Sequence, residues 1–447
     1  MSTTPHRPHG PITSRRHLLA LGAAATVASA CAADGARQKK NYVGVRGADR
    51  ARPKDGEPIR IAIIGMGAPS TPAMGYGHLQ RICALAKEGK EGVQVVAICD
   101  VAAPYLERGV KFAKEAQGID VRGYADYRAM YAAEKDLHGV LIATPEHWHG
   151  QQAIDAMAAG LDVYCEKPMT YDIEQALELR AAVLANPQNV FQCGTQFLQH
   201  RKYGKAKELI ASGAIGKPTF SQTSYCRNSK GGEWLYGIDE NIVPGKTLDW
   251  KAWCGPAGAA EWDPAVFFRW RRYSKWSSGI IGDLLVHVTS PLVYALDQGW
   301  PVRVTASGGH YHDTAMQNPD QVNLTVEFEK GHTMTVAGST CNETGVEAMV
   351  RGHMANLYLG GNDCILRPER IFAEEIEEQT FPSASSGLND QDEHRLHWLS
   401  CMRSRKAAIG DVDTAAKVMV IVDLAARSIS TRSAWTFDPA TMQAAQA

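Results

Sequence analysis

Short apolar runs in the first half of the chain alternate with longer stretches of mixed polarity. Four of these runs are rich in Val, Ile, Leu and Ala, and they cover residues 59–64, 93–100, 139–144 and 161–165. Continuous apolar runs are typical of strands buried on both faces of a parallel sheet. Helices are predicted between them, over residues 76–87, 104–117 and 150–159. This alternation predicts an α/β Rossmann-type domain with a doubly wound parallel sheet.

The pattern changes after about Thr195, where polar and apolar residues begin to alternate. Strands are predicted over residues 302–308, 321–328 and 332–338, and helices over residues 390–404 and 414–430. The last two strands flank a short turn that contains Gly331, which predicts an antiparallel hairpin. We therefore predict an α+β second domain with an open, mostly antiparallel sheet. The predicted bounds are 58–194 for the first domain and 195–438 for the second.

The first strand ends in a glycine loop that predicts a dinucleotide site. Gly65, Met66 and Gly67 follow the strand directly, and backbone N–H groups at such a turn can approach a pyrophosphate. A third glycine is missing at its usual spacing, and the loop instead runs from Ala68 to Gly75. The fingerprint is therefore degenerate, with a longer turn before the helix.

Asp100 ends the second strand, where a carboxylate can bind the hydroxyls of an adenosine ribose. An acid at this position favours NAD over NADP, because it would repel a 2′-phosphate. The alternative is that Asp100 only caps its strand.

The N-terminal segment differs from the rest of the chain. Arg15 and Arg16 precede an apolar stretch over residues 18–30, which is too short to span a bilayer as a helix. This pattern resembles a twin-arginine (Tat) signal peptide over residues 1–31, which implies the Tat export machinery as a partner and a periplasmic location. Cys31 closes a weak lipobox and is a candidate lipid-anchor site. The alternative is a disordered terminus with an accidental arginine pair.

Composition narrows the class of protein. Residues 32–57 are polar and predict a linker, and the remaining length fits two domains. A net charge of -1 gives no electrostatic support for nucleic acid or an anionic membrane as a partner. Ten cysteines show no CxxC pattern, and Cys99 and Cys165 lie in apolar runs that predict buried thiols. No His/Cys spacing in the chain indicates a metal site.

Two polar motifs stand beside predicted strand and helix ends. Glu166 and Lys167 follow a buried strand directly, at the edge where ligands bind in such sheets. Asp283 and His287 are spaced one helical turn apart, so that a carboxylate can orient an imidazole for proton transfer. Taken singly, the first motif can be an ordinary turn and the second an ordinary polar pair.

These segments together resemble the Gfo/Idh/MocA oxidoreductase family (glucose–fructose oxidoreductase, inositol dehydrogenase and relatives). The resemblance covers roughly residues 59–438, and the matching segments occur in the family's order: IAIIGMG, VVAICD, ATPEHWH, DVYCEKP, FQCGTQ, WKAWCGP, FFRWRRYSKWSSGIIGDLLVH and HRLHWLSCMRSRKAAIGDVDTA. It implies an NAD(P)-dependent sugar or polyol oxidoreductase with a tightly bound cofactor, and by analogy a homo-oligomer.

The resemblance also assigns roles to residues. Lys167 matches the family's catalytic lysine, Asp283 and His287 match its acid and base positions, and Glu166 matches a residue that contacts the cofactor ribose. The loop beside nicotinamide and ribose corresponds to Thr144, Pro145 and His149. The implied mechanism has His287 taking a hydroxyl proton, with Asp283 orienting its ring, while Lys167 stabilises the alkoxide.

The segment 262–276 combines three Trp, two Phe and one Tyr with four cations, which suits a sugar ring or, equally, a lid packed on aromatics. Arg269 and Trp270 are the first substrate candidates in it, followed by Arg272 and Tyr273. In the same domain we also consider Gln196, Tyr225 and Arg227.

Two other functions remain open at this stage. One is a glycoside hydrolase that oxidises its sugar transiently and restores the cofactor in each cycle. The other is a non-catalytic sensor, which the set of Lys167, Asp283 and His287 disfavours because a binding module needs no proton relay.

Overall fold

The computed structural model describes residues 45–71, 73–384 and 386–447. The predicted export signal, the first part of the predicted linker and Cys31 lie outside the described residues. No helix in the described ranges is long and apolar enough to cross a membrane.

The first domain is a six-stranded parallel sheet with helices on both faces. Its elements are β1 (Ile59–Ile64), α1 (Met74–Lys87), β2 (Val93–Cys99), α2 (Ala103–Gln117), β3 (Arg122–Tyr124), α3 (Tyr127–Ala133), β4 (Gly139–Ile142), α4 (Glu146–Ala158), β5 (Asp162–Cys165), α5 (Ile173–Leu184) and β6 (Phe191–Cys193). The strand order β3-β2-β1-β4-β5-β6 confirms the predicted doubly wound Rossmann topology. Cys99 and Cys165 are buried in its core, as predicted.

The predicted linker is wrong for residues 45–57, because this segment is docked on the first domain. Arg50 donates hydrogen bonds to the carbonyl oxygens of Ala159, Glu134 and Tyr131. The backbone N–H of Gly47 also donates to the side chain of Asn186, at 2.6 Å. The polar residues that indicated a free tether instead donate hydrogen bonds to carbonyl groups at the ends of helices. These carbonyl groups have no partner within their own helix.

The second domain is built on a mixed sheet of ten strands in the described residues. Its elements are α6 (Arg201–Ala211), β7 (Pro218–Cys226), α7 (Trp250–Cys254), α8 (Pro264–Phe268), α9 (Val286–Leu296), β8 (Pro301–Gly309), β9 (Gln321–Phe328), β10 (Thr333–Ser339), β11 (Met349–Gly352), β12 (Ala355–Tyr358), β13 (Cys364–Pro368), β14 (Gln379–Phe381), α10 (Asp390–Ser404), α11 (Val412–Thr431), β15 (Trp435–Asp438) and β16 (Gln443–Gln446). The sheet order is β14-β13-β12-β11-β7-β10-β9-β8-β15-β16. The predicted β9–β10 hairpin is confirmed, and β7 and β10 are parallel while the other neighbouring pairs are antiparallel.

Burial alternates along the strands of this sheet, as in β9, so that one face packs against α9 and α11 and the other stays open. The chain then returns to the first domain. Trp398 of α10 is buried there against Tyr164 of β5, with ring centroids 5.7 Å apart. The closing helix α10 therefore belongs, by packing, to the wall of the first domain.

Candidate active site

A cavity of about 840 Å³ lies at the carboxyl ends of β1, β2, β4 and β5. Its floor is formed by the glycine loop after β1 and the turns after β4 and β5. Its roof comes from the second domain, from a segment that we call the aromatic strap (residues 247–271). Ligands of open parallel sheets bind at this carboxyl edge, so the cavity is where the fold predicts a dinucleotide.

The glycine loop has its third glycine after all, displaced along the chain to Gly75. A Cβ at this position would collide with the carbonyl oxygen of Gly65. Gly65 and Gly67 both have positive φ, at 85° and 76°. The three glycines thus perform the usual tasks of tight turn and close helix approach, with several extra residues between the second and the third.

We expect Gly75→Ala to destabilise the protein by about 1–3 kcal/mol, because a methyl group would force α1 away from β1. The same displacement should weaken NAD binding at least tenfold. Gly77→Ala is the matched control, because a Cβ at Gly77 meets no atom within 4 Å. Thermal unfolding and a fluorescence titration with NAD measure both effects, and equal behaviour of the two variants would contradict this role of Gly75.

The start of α1 fits the pyrophosphate of a dinucleotide. Its N-cap residue, Ala73, has a left-handed conformation and no side chain caps the first turn. Ala73 and Met74 line the cavity, so the positive end of the helix is presented to a ligand. Met66 was predicted to bind the cofactor, but it points away from the cavity: its N–H donates to Asp100 and its side chain is buried.

Asp100 ties the loop after β1 to the end of β2. Its Oδ2 accepts the N–H of Met66 at 2.7 Å, and its Oδ1 accepts the N–H of Ala102 at 2.8 Å. Burial raises the pKa of Asp100, although these backbone N–H groups oppose the rise. Asp100 therefore does cap its strand. Each carboxylate oxygen keeps a second lone pair, and Asp100 also lines the cavity, so capping and ribose binding are compatible.

Lys167 and Asp283 form a buried ion pair at the edge of the cavity, joined by a residue that the sequence did not single out. The Nζ of Lys167 donates to Oδ1 of Asp283 at 2.8 Å, and Nε of Arg271 donates to the same oxygen at 2.7 Å. Burial alone would raise the pKa of Asp283, but the two cations outweigh it and hold the pKa well below its usual range. Asp283 is thus an anion that fixes two cations.

His287 lies close to this pair, although no hydrogen bond joins it to Asp283 among the described residues. The ring of His287 is buried between Phe197 and Tyr225, with centroids 5.3 and 5.9 Å away, and its Nδ1 has no partner in the described structure. Burial, and secondarily Lys167, lowers the pKa of His287 to about 3. The predicted orientation of His287 by Asp283 is therefore wrong, because the carboxylate is engaged by Lys167 and Arg271 in a π-helical turn at Ile281–Leu285.

Glu166 is held by a chain of buried polar groups that reaches into α10. Its Oε1 lies 2.8 Å from Nε2 of His78, and Nδ1 of His78 accepts a hydrogen bond from Nε of Arg395, also at 2.8 Å. A guanidinium only donates, so the proton of His78 is on Nε2 and points at Glu166. Burial opposes ionisation of Glu166, but the bond from His78 outweighs it and brings the pKa to about 2.

The turn after β4 is tied to the turn after β5 through His149. Its Nε2 and Nδ1 each lie 2.7 Å from a carbonyl oxygen, that of Thr144 and that of Pro168. Thr144, Pro145 and His149 all line the cavity, and the Lys167–Pro168 bond is cis. The imidazole of His149 therefore couples the two turns that carry the predicted cofactor contacts.

Glu146 is fully buried at the first turn of α4, which begins four residues before the predicted helix. Its Oε1 accepts the N–H of Ser278 at 2.6 Å, and its Oε2 has no partner among the described residues. Burial, and secondarily the charge of Asp283, raises the pKa of Glu146 to about 8. A neutral carboxyl therefore lies beside the ion pair at neutral pH.

The raised pKa of Glu146 predicts a pH-dependent loss of stability. The unfolded value is 4.5, so stability from the protonated form is complete below pH 4.5 and is lost as the pH rises towards 8. Each pH unit between these two pKa values lowers the free energy of unfolding by up to about 1.4 kcal/mol. We expect Glu146→Gln to be more stable than the wild type at pH 8 and to lose this advantage at pH 5. Urea unfolding at pH 8 and pH 5 tests this prediction, and Glu115→Gln, at an exposed position, is the control. Equal changes of unfolding free energy in both variants would contradict it.

The aromatic strap is fastened to the first domain by backbone bonds. Thr247 and Asp249 exchange hydrogen bonds with the segment after β2, and the carbonyl of Trp253 accepts from the rings of His147 and Trp148, each at 2.9 Å. Trp253 itself is buried against neighbouring aromatic rings. The strap thus covers the cavity over the segment after β2 and the start of α4.

The substrate candidates within and around the strap separate into two groups. Trp270 lines the cavity, with the guanidinium carbon of Arg271 at 4.1 Å from its ring centroid. Arg269 was predicted to reach the pocket, but its Nε donates to the carbonyl of Tyr236 and it does not line the cavity. Tyr225 contacts His287 rather than the cavity wall.

The weaker candidates have structural partners or lie apart from the cavity. Arg272 is buried in an ion pair with Asp313, and Arg227 pairs with Glu233 at 3.0 Å. Tyr273 and Gln196 do not line the cavity. Sequence reasoning missed Arg271, His78, Arg395 and Glu146. Of these, Glu146, Arg271 and Arg395 stand inside segments that were quoted as motifs, but nothing in their spacing distinguishes them from their neighbours.

Family models match both domains. Residues 59–194 match the model described as the NAD-binding Rossmann fold of the Gfo/Idh/MocA oxidoreductase family, and residues 248–436 match the model of its C-terminal alpha/beta domain. The cofactor of the first domain is therefore NAD.

Among individual proteins, an inositol 2-dehydrogenase of Pseudomonas savastanoi pv. phaseolicola is 31% identical over 39% of this chain and 48% of its own length. A glycosyl hydrolase family 109 protein of Shewanella woodyi is 25% identical over 39% of this chain and 38% of its own. The chain thus spans about half or less of the length of these curated relatives.

Solved structures with the same fold include an oxidoreductase domain protein from Kribbella flavida, with a TM-score of 0.64 and 16% identity over 85% of this chain and 98% of that one. A levoglucosan dehydrogenase in complex with NADH has a TM-score of 0.62 and 17% identity, with the same coverage of both chains.

Proposed function

Because the chain belongs to the Gfo/Idh/MocA oxidoreductase family, we propose that it oxidises or reduces a sugar or another polyol with NAD. The observation that carries this proposal is the position of Lys167. Its ammonium lies on the wall of the dinucleotide cavity and is fixed there by the ionised carboxylate of Asp283. A fixed cation next to a cofactor cradle is suited to bind the oxygen of a reacting carbinol.

We assign a separate role in the reaction to each residue of the site. NAD held by the glycine loop and the turns after β4 and β5 would supply the redox chemistry, which is hydride transfer from the carbinol carbon. Lys167 donates a hydrogen bond to the substrate oxygen and stabilises the negative charge that develops on it. We assign uptake of the hydroxyl proton to His287 from its place in the sequence motif; burial lowers the pKa of its ring to about 3, and the ring itself does not line the described cavity. Asp283 positions Lys167 rather than His287.

The cavity also supports NAD over NADP and a cofactor that stays bound. Asp100 places a carboxylate at the ribose end, where a 2′-phosphate would be repelled. The aromatic strap covers the cavity through bonds to both the segment after β2 and the start of α4. A cofactor enclosed by such a roof leaves only when the strap opens, which slows its exchange.

Redox-assisted glycoside hydrolysis is a second candidate function, favoured by the enclosing strap. A retained cofactor can be reduced and restored within one cycle, so that no free NAD is needed. The similarity to a glycosyl hydrolase family 109 protein is consistent with this alternative. The two functions differ in their net products. Net oxidation of a sugar reduces added NAD, whereas hydrolysis releases a sugar and leaves added NAD unchanged.

We further propose that the chain is exported as a folded, cofactor-loaded protein, on the strength of Arg15 and Arg16 before the apolar stretch. Fractionation of cells that express the wild type and an Arg15→Lys/Arg16→Lys variant tests this. Retention of the variant in the cytoplasm is the expected result, and unchanged distribution contradicts it. Cys31→Ser tests lipid attachment in the same assay.

The deciding experiment for the activity has two stages. Native mass spectrometry of the purified protein first shows whether a nucleotide is bound and which one. A panel of sugars, polyols and aryl glycosides then distinguishes reduction of added NAD from glycoside release. A protein that binds NAD but turns over no member of the panel would overturn both candidate functions.

A further inference from the structure

The guanidinium of Arg271 has donors that the protein does not use. Its Nε donates to Asp283, and its guanidinium carbon lies 4.1 Å from the centroid of the Trp270 ring. No described residue accepts a hydrogen bond from either Nη atom, although the side chain is only 15% exposed and lines the cavity. A mostly buried guanidinium with a free edge is held ready for an acceptor that arrives with the ligand.

The carboxylates around this edge are all engaged by other donors. Lys167 and Arg271 both contact a single carboxylate oxygen of Asp283. Glu146 lies near the same group, but it is protonated at neutral pH, so its carboxyl adds no second anion. Glu166 is ionised beside Lys167, but its carboxylate is bound by His78 and by the backbone N–H of Lys167, so no described carboxylate accepts from the Nη atoms of Arg271. Mostly buried donors without an acceptor are costly unless a ligand supplies one.

We infer that Arg271 binds a carboxylate of the substrate, so that the physiological substrate is a sugar acid, such as an aldonate or a uronate, rather than a neutral sugar. The two Nη atoms match the two oxygens of a carboxylate in a bidentate pair. Because Arg271 and Lys167 share one oxygen of Asp283, the carboxylate lies close to the carbinol that Lys167 binds. This inference deepens the proposed function and rests on it.

Cofactor-loaded protein is titrated calorimetrically with matched ligands that differ only in charge: D-glucuronate against D-glucose, and D-gluconate against D-sorbitol. We expect the acid of each pair to bind about 10- to 100-fold more tightly, the effect of a charge-assisted bond pair. Arg271→Met should abolish this preference. Arg271→Lys, which keeps a cation beside Asp283 but lacks the two Nη donors, should retain only part of it. Arg269→Lys is the control, since Arg269 lies outside the cavity wall.

The outcomes separate this inference from the proposed activity, because binding is measured without turnover. Preferential binding of acids that are never oxidised would support the carboxylate site and overturn the oxidoreductase proposal. Oxidation of neutral sugars with no preference for acids would overturn the carboxylate site and leave the activity standing. If Arg271→Met does not fold, the graded loss in Arg271→Lys decides, and an unchanged preference in that variant overturns the inference.

Discussion

Lys167→Met should lower turnover by about 10²–10³-fold while NAD stays bound. The side chain keeps its length, but the substrate oxygen loses the donor that stabilises its developing charge, and removal of one such donor costs about 3–4 kcal/mol of barrier. The fold should survive, because Asp283 retains its bond from Arg271. Steady-state kinetics on the substrate that the panel identifies measures turnover, and nucleotide released on denaturation measures cofactor occupancy.

Lys202→Met is the matched control for this experiment. The ammonium of Lys202 is partly buried and donates to two carbonyl oxygens, those of Leu359 and Gly361, but it lies in the second domain away from the cavity. Its loss should affect stability and leave turnover unchanged. Near-normal turnover in Lys167→Met, or an equal loss in both variants, would show that Lys167 does not act on the substrate.

The first domain was predictable because its strands are continuous apolar runs and its site lies at their ends. Residues 59–64 and their successors are buried on both faces, which leaves a strong local signal in the chain. The short strands β11 to β14 left no such signal. Their residues are in a sheet because of partners far along the chain, and segments of three to five residues are too short to show a period.

The third glycine of the glycine loop was not found from motif spacing but is evident from the three-dimensional structure. A fixed motif length gave only two glycines, although Gly75 meets Gly65 across the turn as a third glycine normally would. The contact depends on the three-dimensional course of the inserted residues, which no motif length describes. Asp100 was located correctly, since strand ends are visible in the sequence.

The errors at the catalytic end come from contacts between distant segments. Helical spacing paired Asp283 with His287, but Asp283 is engaged by Lys167, more than a hundred positions away in the chain. Among the adjacent residues Arg269, Arg271 and Arg272, local pattern cannot show which one faces the cavity. A single 3-10 turn at Trp270–Arg272 points Arg271 inward while Arg272 is buried on Asp313.

Asp283→Asn should destabilise the protein by about 3–5 kcal/mol, the cost of leaving buried cations without their anion. The double variant Asp283→Asn/Lys167→Met should be less unstable than the sum of its single variants by about 0.5–3 kcal/mol, because it removes one of the two uncompensated cations. The low pKa of Asp283 also sets the pH range. In the wild type its contribution is complete well above pH 3.8 and is lost progressively as the pH falls below 3.8 towards the folded-state pKa. Urea unfolding of all four proteins at pH 7 and pH 4 gives the coupling energy; strictly additive losses would mean that the ion pair does not stabilise the site.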